Sequence, residues 1–242
     1  MKALILAAGT STRLRPLTDE TPKCLLNVGD KSILALAIDN LIANNITELV
    51  VVTGYLEQQI KDFITSEYKE LNVNFIYNEV YASTNNIYSL WLAKKAFEGE
   101  DMLLLDSDII FHKDIISKLI ASNYKNCLAL KQHELQDEEI KVKVDAKGRI
   151  LEIGKTVNIQ EAIGESIGIE KFDKSLVKKL FAILDPKIEI EKQVNIFYEA
   201  AFQDLMDAGE DVYIVDVSEH ICMEIDTASD LEVARKMISG LT

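Results

Sequence analysis

Short, wholly apolar runs alternate with stretches in which apolar residues recur every three or four positions. Lys2–Ala7 is the first run. Ile33, Leu34, Ala37, Ile38 and Leu41 then mark one face of a helix over Ser32–Asn44. Glu48–Thr53, with Leu-Val-Val-Val at its centre, predicts a second buried strand. Glu57–Thr65 predicts a helix, Val73–Tyr77 a third strand, Asn86–Phe97 a helix with Leu90 and Ala93 inward, and Met102–Leu105 a fourth strand. Strands that are apolar on both faces and separated by helices form a parallel sheet covered on both sides. After Phe111 the pattern changes. Asn126–Lys131, Ile140–Val144 and Arg149–Ile153 predict strands, the last two joined by the turn Asp145-Ala-Lys-Gly148, where Gly148 suits a positive φ. Helices over Lys174–Leu184 and Val194–Asp207, a strand over Val212–Asp216 and a helix over Ala228–Ile238 complete the chain. The pattern predicts one α/β domain over 1–242, a doubly wound, mostly parallel mixed sheet with a small antiparallel insertion.

Charge narrows the classes of partner. Lysine plus arginine number 26 and aspartate plus glutamate 40, a formal net charge of −14. A nucleic-acid-binding protein needs a basic face, and an anionic membrane surface needs one too. The first 23 residues differ from the whole. They hold Lys2, Arg13, Arg15 and Lys23 against Asp19 and Glu20, or +4 − 2 = +2. A cationic pocket on an acidic protein points to a small anionic ligand. No apolar run approaches the roughly 20 residues of a membrane span. The opening run lacks a charged leader segment and reads as a strand, not a signal peptide. Cys24, Cys127 and Cys222 are odd in number, far apart and without a Cys-x-x-Cys pair. They predict neither a zinc site nor a disulfide framework, and suit buried thiols in a cytoplasmic protein.

Two groups of residues have the makings of a site. Ala7, Ala8, Gly9, Thr10 and Ser11 follow the first strand. Ligands of doubly wound sheets bind beyond the carboxyl ends of strands, where small residues let backbone N–H groups approach an anion. Arg13 adds a planar donor fork, and Lys23 follows ten residues later. Singly, each also reads as a turn glycine or a solvated base. The second group is acidic. Asp106 and Asp108, at i and i+2, end the fourth strand and project to one face. Asp226 precedes the last helix, where it also suits an N-cap. Paired carboxylates call for a nearby cation, and Mg2+ takes one or two carboxylates together with substrate phosphates.

The string Leu-Ala-Ala-Gly9-x-x-x-Arg13-Leu-x-Pro-Leu-Thr18, followed by Pro-Lys23-x-Leu, resembles the opening of the sugar-phosphate nucleotidyltransferase superfamily. Many members carry a second glycine where Ser11 stands. The resemblance implies a Rossmann-like fold of the nucleotide-diphospho-sugar transferase type, with a nucleotide-binding half over about 1–111 and an acceptor-binding half over about 112–242. It implies that Gly9 to Arg13 wrap a nucleoside triphosphate, with Ala7 and Ala8 among the nucleotide contacts, that Arg13 and Lys23 neutralise departing pyrophosphate, and that Asp108 and Asp226 hold Mg2+. Asp106 is then either a support behind the metal ligands or a nucleotide contact. Lys155, in Ile153-Gly-Lys155, takes the place of a lysine that grips the acceptor's phosphate. Glu165, in Gly164-Glu-Ser-Ile-Gly168, becomes an acceptor contact.

Further motifs narrow the resemblance. Tyr77-Asn78-Glu79, Asn85-Asn86-Ile-Tyr88-Ser-Leu and Asn195-Ile-Phe197-Tyr198-Glu199-Ala-Ala-Phe202 are similar to segments of the phosphocholine cytidylyltransferase branch. Asn78 and Asn85 are candidate nucleotide contacts, although Asn85 also suits an N-cap. Asn86, Tyr198 and Glu199 are candidate acceptor contacts, the last two offering an aromatic face and a carboxylate to a cationic head group. The alternative puts Phe197 and Phe202 in the core with Tyr198 merely packing. Trp91 falls at core spacing. The activity implied is Mg2+-dependent transfer of CMP from CTP to phosphocholine, giving CDP-choline and pyrophosphate. Alternatives are a cytidylyltransferase for 2-aminoethylphosphonate or inositol phosphate, or a sugar-1-phosphate nucleotidyltransferase using UTP or dTTP. A non-catalytic nucleotide sensor fits less well, since binding alone does not require Arg13, Lys23, Asp108 and Asp226 together. The expected partners are CTP and the phosphorylated acceptor, with no nucleic acid and no membrane insertion; the oligomeric state stays open.

Overall fold

The computed structural model describes residues 1–238. Its elements in chain order are β1 (Lys2–Ala7), β2 (Asn27–Val28), β3 (Lys31–Ser32), α1 (Ile33–Ala43), β4 (Glu48–Thr53), α2 (Glu57–Glu67), β5 (Asn72–Tyr77), α3 (Asn86–Leu92), β6 (Met102–Asp106) and β7 (Ile109–Phe111). They continue as α4 (Asp114–Ala121), β8 (Cys127–Lys131), β9 (Lys141–Val144), β10 (Ile150–Gly154), β11 (Gly164–Phe172), α5 (Lys174–Glu189), α6 (Glu199–Asp207), β12 (Tyr213–Asp216), β13 (Cys222–Glu224) and α7 (Ala228–Met237).

Four parallel strands lie in the order β5-β4-β1-β6. Beyond β6 the sheet turns antiparallel through β11, which pairs with both β8 and β9. The hairpin β9–β10 closes one edge, with Gly148 at φ +78° in its turn as the spacing predicts. β12 runs parallel to β8, so both halves of the chain contribute to one nine-stranded sheet. Helices cover both faces. Leu4, Leu6 and Leu104 pack against α3, α5 and α6; Ala3, Ile5, Leu103 and Leu105 pack against α1, α2 and α4. The neighbours in each central strand thus serve opposite cores, which is why those strands are apolar throughout.

Some elements depart from the apolar pattern. The helix expected over Val194–Asp207 starts only at Glu199, because the preceding backbone makes tertiary bonds instead. The Val194 carbonyl accepts from Asn85 N–H (2.9 Å), and Tyr198 N–H donates to Asn86 Oδ1 (2.9 Å). The helix expected to stop at Leu184 runs through Pro186 to Glu189, ending on buried Ile188. The helix expected over Asn86–Phe97 tightens to a 3-10 turn from Ala93. The pattern also missed α4 and the ribbon β7–β13, whose strands are three residues each. Ser11 adopts a left-handed conformation (φ 48°, ψ 48°). That costs an L-residue about 1–2 kcal/mol, in a conformation that glycine adopts freely. Among the described residues, no helix is long and apolar enough to cross a membrane.

Candidate active site

β1 ends in the middle of the sheet, and the chain leaves it through Ala8–Ser11. The Ala8 carbonyl accepts from Tyr55 N–H (3.2 Å), and the Ser11 carbonyl accepts from Leu14 N–H (3.1 Å) and from the hydroxyl of buried Thr18 (2.9 Å). Ala7, Ala8, Gly9 and Ser11 line a cleft of about 710 Å3, a size suited to a nucleotide-sized ligand. Thr10 is half-buried in the same loop and does not line it. A 3-10 turn presents Arg13, which is exposed and places Nη2 2.7 Å from Asp226 Oδ2. Pro22 ends the extended approach to Lys23, whose ammonium lies 2.7 Å from Asp108 Oδ2 and 2.9 Å from Asp226 Oδ1 with 11% side-chain exposure. Burial works against its charge, but Asp108 and Asp226 outweigh it and hold the Lys23 pKa above the ordinary lysine range.

The ribbon β7–β13 brings these acids together. Glu224 pairs with Ile109, and Ile225 N–H donates to the Asp108 carbonyl (2.9 Å). One carboxylate oxygen each from Asp108, Glu224 and Asp226 therefore lies within 4.8 Å of the others. Glu224 is reachable by water but ringed by protein. That enclosure, with Asp108 and Asp226 beside it, pushes its pKa up to about 8. Burial raises Asp226 too, yet Lys23 and Arg13 prevail and hold it below the usual carboxylate range. The set fits Mg2+: it offers three hard oxygen donors within reach of one another, and the raised Glu224 pKa marks a carboxylate that an added cation would ionise.

Behind the triad lies a second, drier group of acids. Asp106 ends β6 beside Leu6, and the Tyr198 hydroxyl donates to its Oδ2 (2.9 Å). Burial first, then Asp108 and Glu199, raise its pKa well above the carboxylate range. Gly168 (φ +69°) passes so close that an added Cβ would come within 2.6 Å of the same oxygen. Glu170, fully buried on β11, accepts from the Ser166 hydroxyl (3.4 Å) through one oxygen and leaves the other unpartnered. Glu199 opens α6 at 6% exposure, lines the cleft, and also has an unpartnered Oε2. Burial pushes it up to about 7, although its own backbone and Lys155 pull the other way.

Lys155 also lines the cleft; it reaches Glu138 Oε2 (3.0 Å) and lies 4.7 Å from the centroid of the Phe197 ring. Here the structure exchanges the roles expected of two neighbours. Tyr198 has 0% exposure and spends its hydroxyl on Asp106, whereas Phe197 is 41% exposed and lines the cleft. The aromatic face belongs to Phe197. The asparagines are also engaged. Asn85 caps α3, accepting from Asn86 N–H (2.8 Å), and Asn86 accepts from Tyr198 N–H while lining the cleft. Asn78 is buried, donating to Thr84 Oγ1 (3.1 Å) and Ser89 Oγ (3.2 Å) and accepting from Val80 N–H (3.1 Å); it holds the loop that frames the cleft. Trp91 packs on the core, its indole donating to Asp185 (3.1 Å). Glu165 meets His133 Nε2 at 3.0 Å; burial and Glu139 raise its pKa. Glu224, Phe197, Glu170 and His133 were not anticipated as site residues. None of them carries a local signal; Glu170 shares its strand with Glu165 and Lys171.

This cleft lies at the carboxyl ends of a doubly wound sheet and sets two cations among three carboxylates. Residues 2–150 match the family described as Nucleotidyl transferase, and the chain belongs to that family. It is 28% identical to a choline-phosphate cytidylyltransferase of Streptococcus pneumoniae over 99% of each chain. It is 30% identical to a CTP:phosphoglutamine cytidylyltransferase of Campylobacter jejuni over 96% of this chain and 98% of that one. Its fold matches the solved structure of a CTP:phosphocholine cytidylyltransferase from Streptococcus pneumoniae with a TM-score of 0.81, covering 98% of each chain at 24% identity.

Proposed function

We propose that the chain transfers CMP from CTP to a small phosphorylated alcohol, phosphocholine first among them, with release of pyrophosphate. The observation that carries this reading is the company kept in one cleft. Its lining joins the Gly9 loop, Arg13, Lys23 and three carboxylates to Lys155, Phe197 and Glu199, a cation, an aromatic face and a buried acid. The names of two full-length relatives support cytidine as the base, and one supports choline as the head group. Three free, buried thiols suit the cytoplasm.

An oxygen of the acceptor phosphate attacks the α-phosphorus of CTP in line. The new P–O bond forms as the bond to the β-phosphate oxygen breaks, and the electron pair leaves with pyrophosphate. The acceptor phosphate is already anionic, so no general base is required. Lys23 is a permanent charge at neutral pH, because its two carboxylates keep it protonated, and it faces the charge that develops on the leaving group. Arg13, anchored only at Asp226 and otherwise exposed, is free to turn its fork onto the triphosphate. Lys155 is paired with an exposed glutamate, a weak bond that a phosphate dianion displaces. Glu199 lines the cleft as the acid nearest the head group, and Phe197 offers its ring face. Mg2+, when bound by Asp108, Glu224 and Asp226, supplies further positive charge to the phosphates.

A substrate matrix tests the reading. CTP, UTP, dTTP and ATP are each incubated with Mg2+ and phosphocholine, 2-aminoethylphosphonate, inositol phosphate or a hexose 1-phosphate, and pyrophosphate is measured. Release with CTP and phosphocholine is expected. Release confined to UTP or dTTP with a hexose 1-phosphate refutes it.

A further inference from the structure

The ribbon β7–β13 carries the catalytic carboxylates at one end only. Two imidazoles flank the other. His112 follows β7, and its N–H donates to the Ile221 carbonyl (2.9 Å), which extends the ribbon; His220 stands one residue earlier, its N–H held by the Val217 carbonyl (2.9 Å). The rings are nearly parallel, 6° apart, with centroids at 5.5 Å. Asp114, the first residue of α4, adds a carboxylate. One donor atom from each of these three residues lies within 4.8 Å of the other two. The imidazoles are 22% and 20% exposed, so ions in solution reach them.

Two details separate this group from a chance meeting. Nδ1 of His112 faces Asp114 N–H (3.3 Å) and Asp114 Oδ2 (3.5 Å), and an ion takes its lone pair by displacing that long N–H contact. Two electron-rich atoms are thus held side by side by the start of a helix. On the other ring, Nε2 of His220 lies 3.4 Å from Glu219 Oε1, a carboxylate itself held by Lys118 (2.6 Å). With Nε2–H directed at Glu219, Nδ1 keeps a free lone pair. Imidazoles that bind metal are commonly backed by a carboxylate in this way.

We infer that His112, His220 and Asp114 form a binding site for a borderline-soft divalent cation, Zn2+ in the first instance, separate from the substrate cleft. Two imidazoles and a carboxylate suit Zn2+ and suit Mg2+ poorly, because Mg2+ demands oxygen donors in octahedral array. Zn–N and Zn–O bonds run at about 2.0–2.2 Å, so the three side chains close by rotating slightly inward, and water completes the tetrahedron. Bound there, the ion ties the end of β7 to the approach to β13 and so braces the ribbon whose other end presents Asp108 and Glu224.

The test uses the full chain, stripped with EDTA and dialysed against Zn2+ in the presence of a large excess of Mg2+ to occupy the oxygen-only site. One equivalent of zinc is expected in the wild type and equally in Asp226→Asn. His220→Gln and His112→Gln should lose it, and Asp114→Asn should hold it at least tenfold more weakly. Zinc should raise the melting temperature of the wild type but not of His220→Gln, while turnover of His220→Gln with Mg2+ stays unchanged. A wild type that retains no zinc overturns the inference. So does an equal retention by a folded His220→Gln, which would move the ion to His133, Glu139 and Glu165.

Discussion

Replacing Glu199 with glutamine should stabilise the protein at alkaline pH while impairing it. The side chain is 6% exposed and one of its oxygens meets no donor. Burial raises its pKa from 4.5 to about 7. In the unfolded chain this glutamate loses its proton near 4.5; in the folded chain it keeps the proton until about 7. Between those values the native state binds more protons than the unfolded state, so stability falls as pH rises through the window. A shift of about 2.5 units at 1.36 kcal/mol each amounts to about 3 kcal/mol of destabilisation above pH 7. Glutamine cannot ionise and escapes this term, but it adds an amide with no assured acceptor, at a cost of about 1–3 kcal/mol. That cost is the same at every pH and cancels in a comparison. Urea denaturation of both proteins at pH 4 and pH 8 therefore isolates the ionisation. The glutamine variant should gain about 3 kcal/mol on the wild type between the two pH values, with unchanged m-values. Its KM for a cationic acceptor should rise. An equal stability difference at both pH values would refute the claim that Glu199 is strained by its charge.

Asp226→Asn should fold, because Asp108 still holds Lys23 at 2.7 Å, and should lower turnover about 10²- to 10³-fold, as read by pyrophosphate release. The wild-type Asp226 carboxylate, held below its ordinary range, contributes stability above its unfolded pKa that is lost as pH falls through the folded one; acid titration of the variant should lack that loss. Lys155→Ala should raise the acceptor KM about tenfold, or ~1.4 kcal/mol, and leave the CTP KM unchanged; equal effects on both would detach Lys155 from the acceptor. Gly168→Ala puts a Cβ within 2.6 Å of Asp106 at φ +69° and should cost about 2–3 kcal/mol in thermal denaturation. An unshifted melting temperature would mean that β11 gives way there freely.

The central strands and their covering helices were legible in the sequence because they follow from local periodicity. Arg13, Lys23, Asp108 and Asp226 could be listed from motifs that lie at strand ends and turns, and the structure brings these four within ion-pair distance. Glu224 could not be listed, since β7 and β13 are too short for any periodicity to register and meet only through long-range pairing. Neither could the choice between Phe197 and Tyr198. They are adjacent aromatics at the entrance to a helix, and which one faces the cleft depends on Asp106 accepting the Tyr198 hydroxyl. The same holds for Asn85, whose amide oxygen caps α3 as an N-cap reading allows.

The sequence by itself determined the layers of the fold and the fixed charges of Arg13, Lys23, Asp108 and Asp226, because backbone period and turn chemistry act between near neighbours. Only the tertiary structure decided which groups share a dielectric environment. The raised acids at Asp106, Glu170 and Glu199 owe their state to burial and to one another. Desolvation and Coulomb energy depend on distance in space, and residues brought together across β6, β11 and α6 carry no mark of it along the chain.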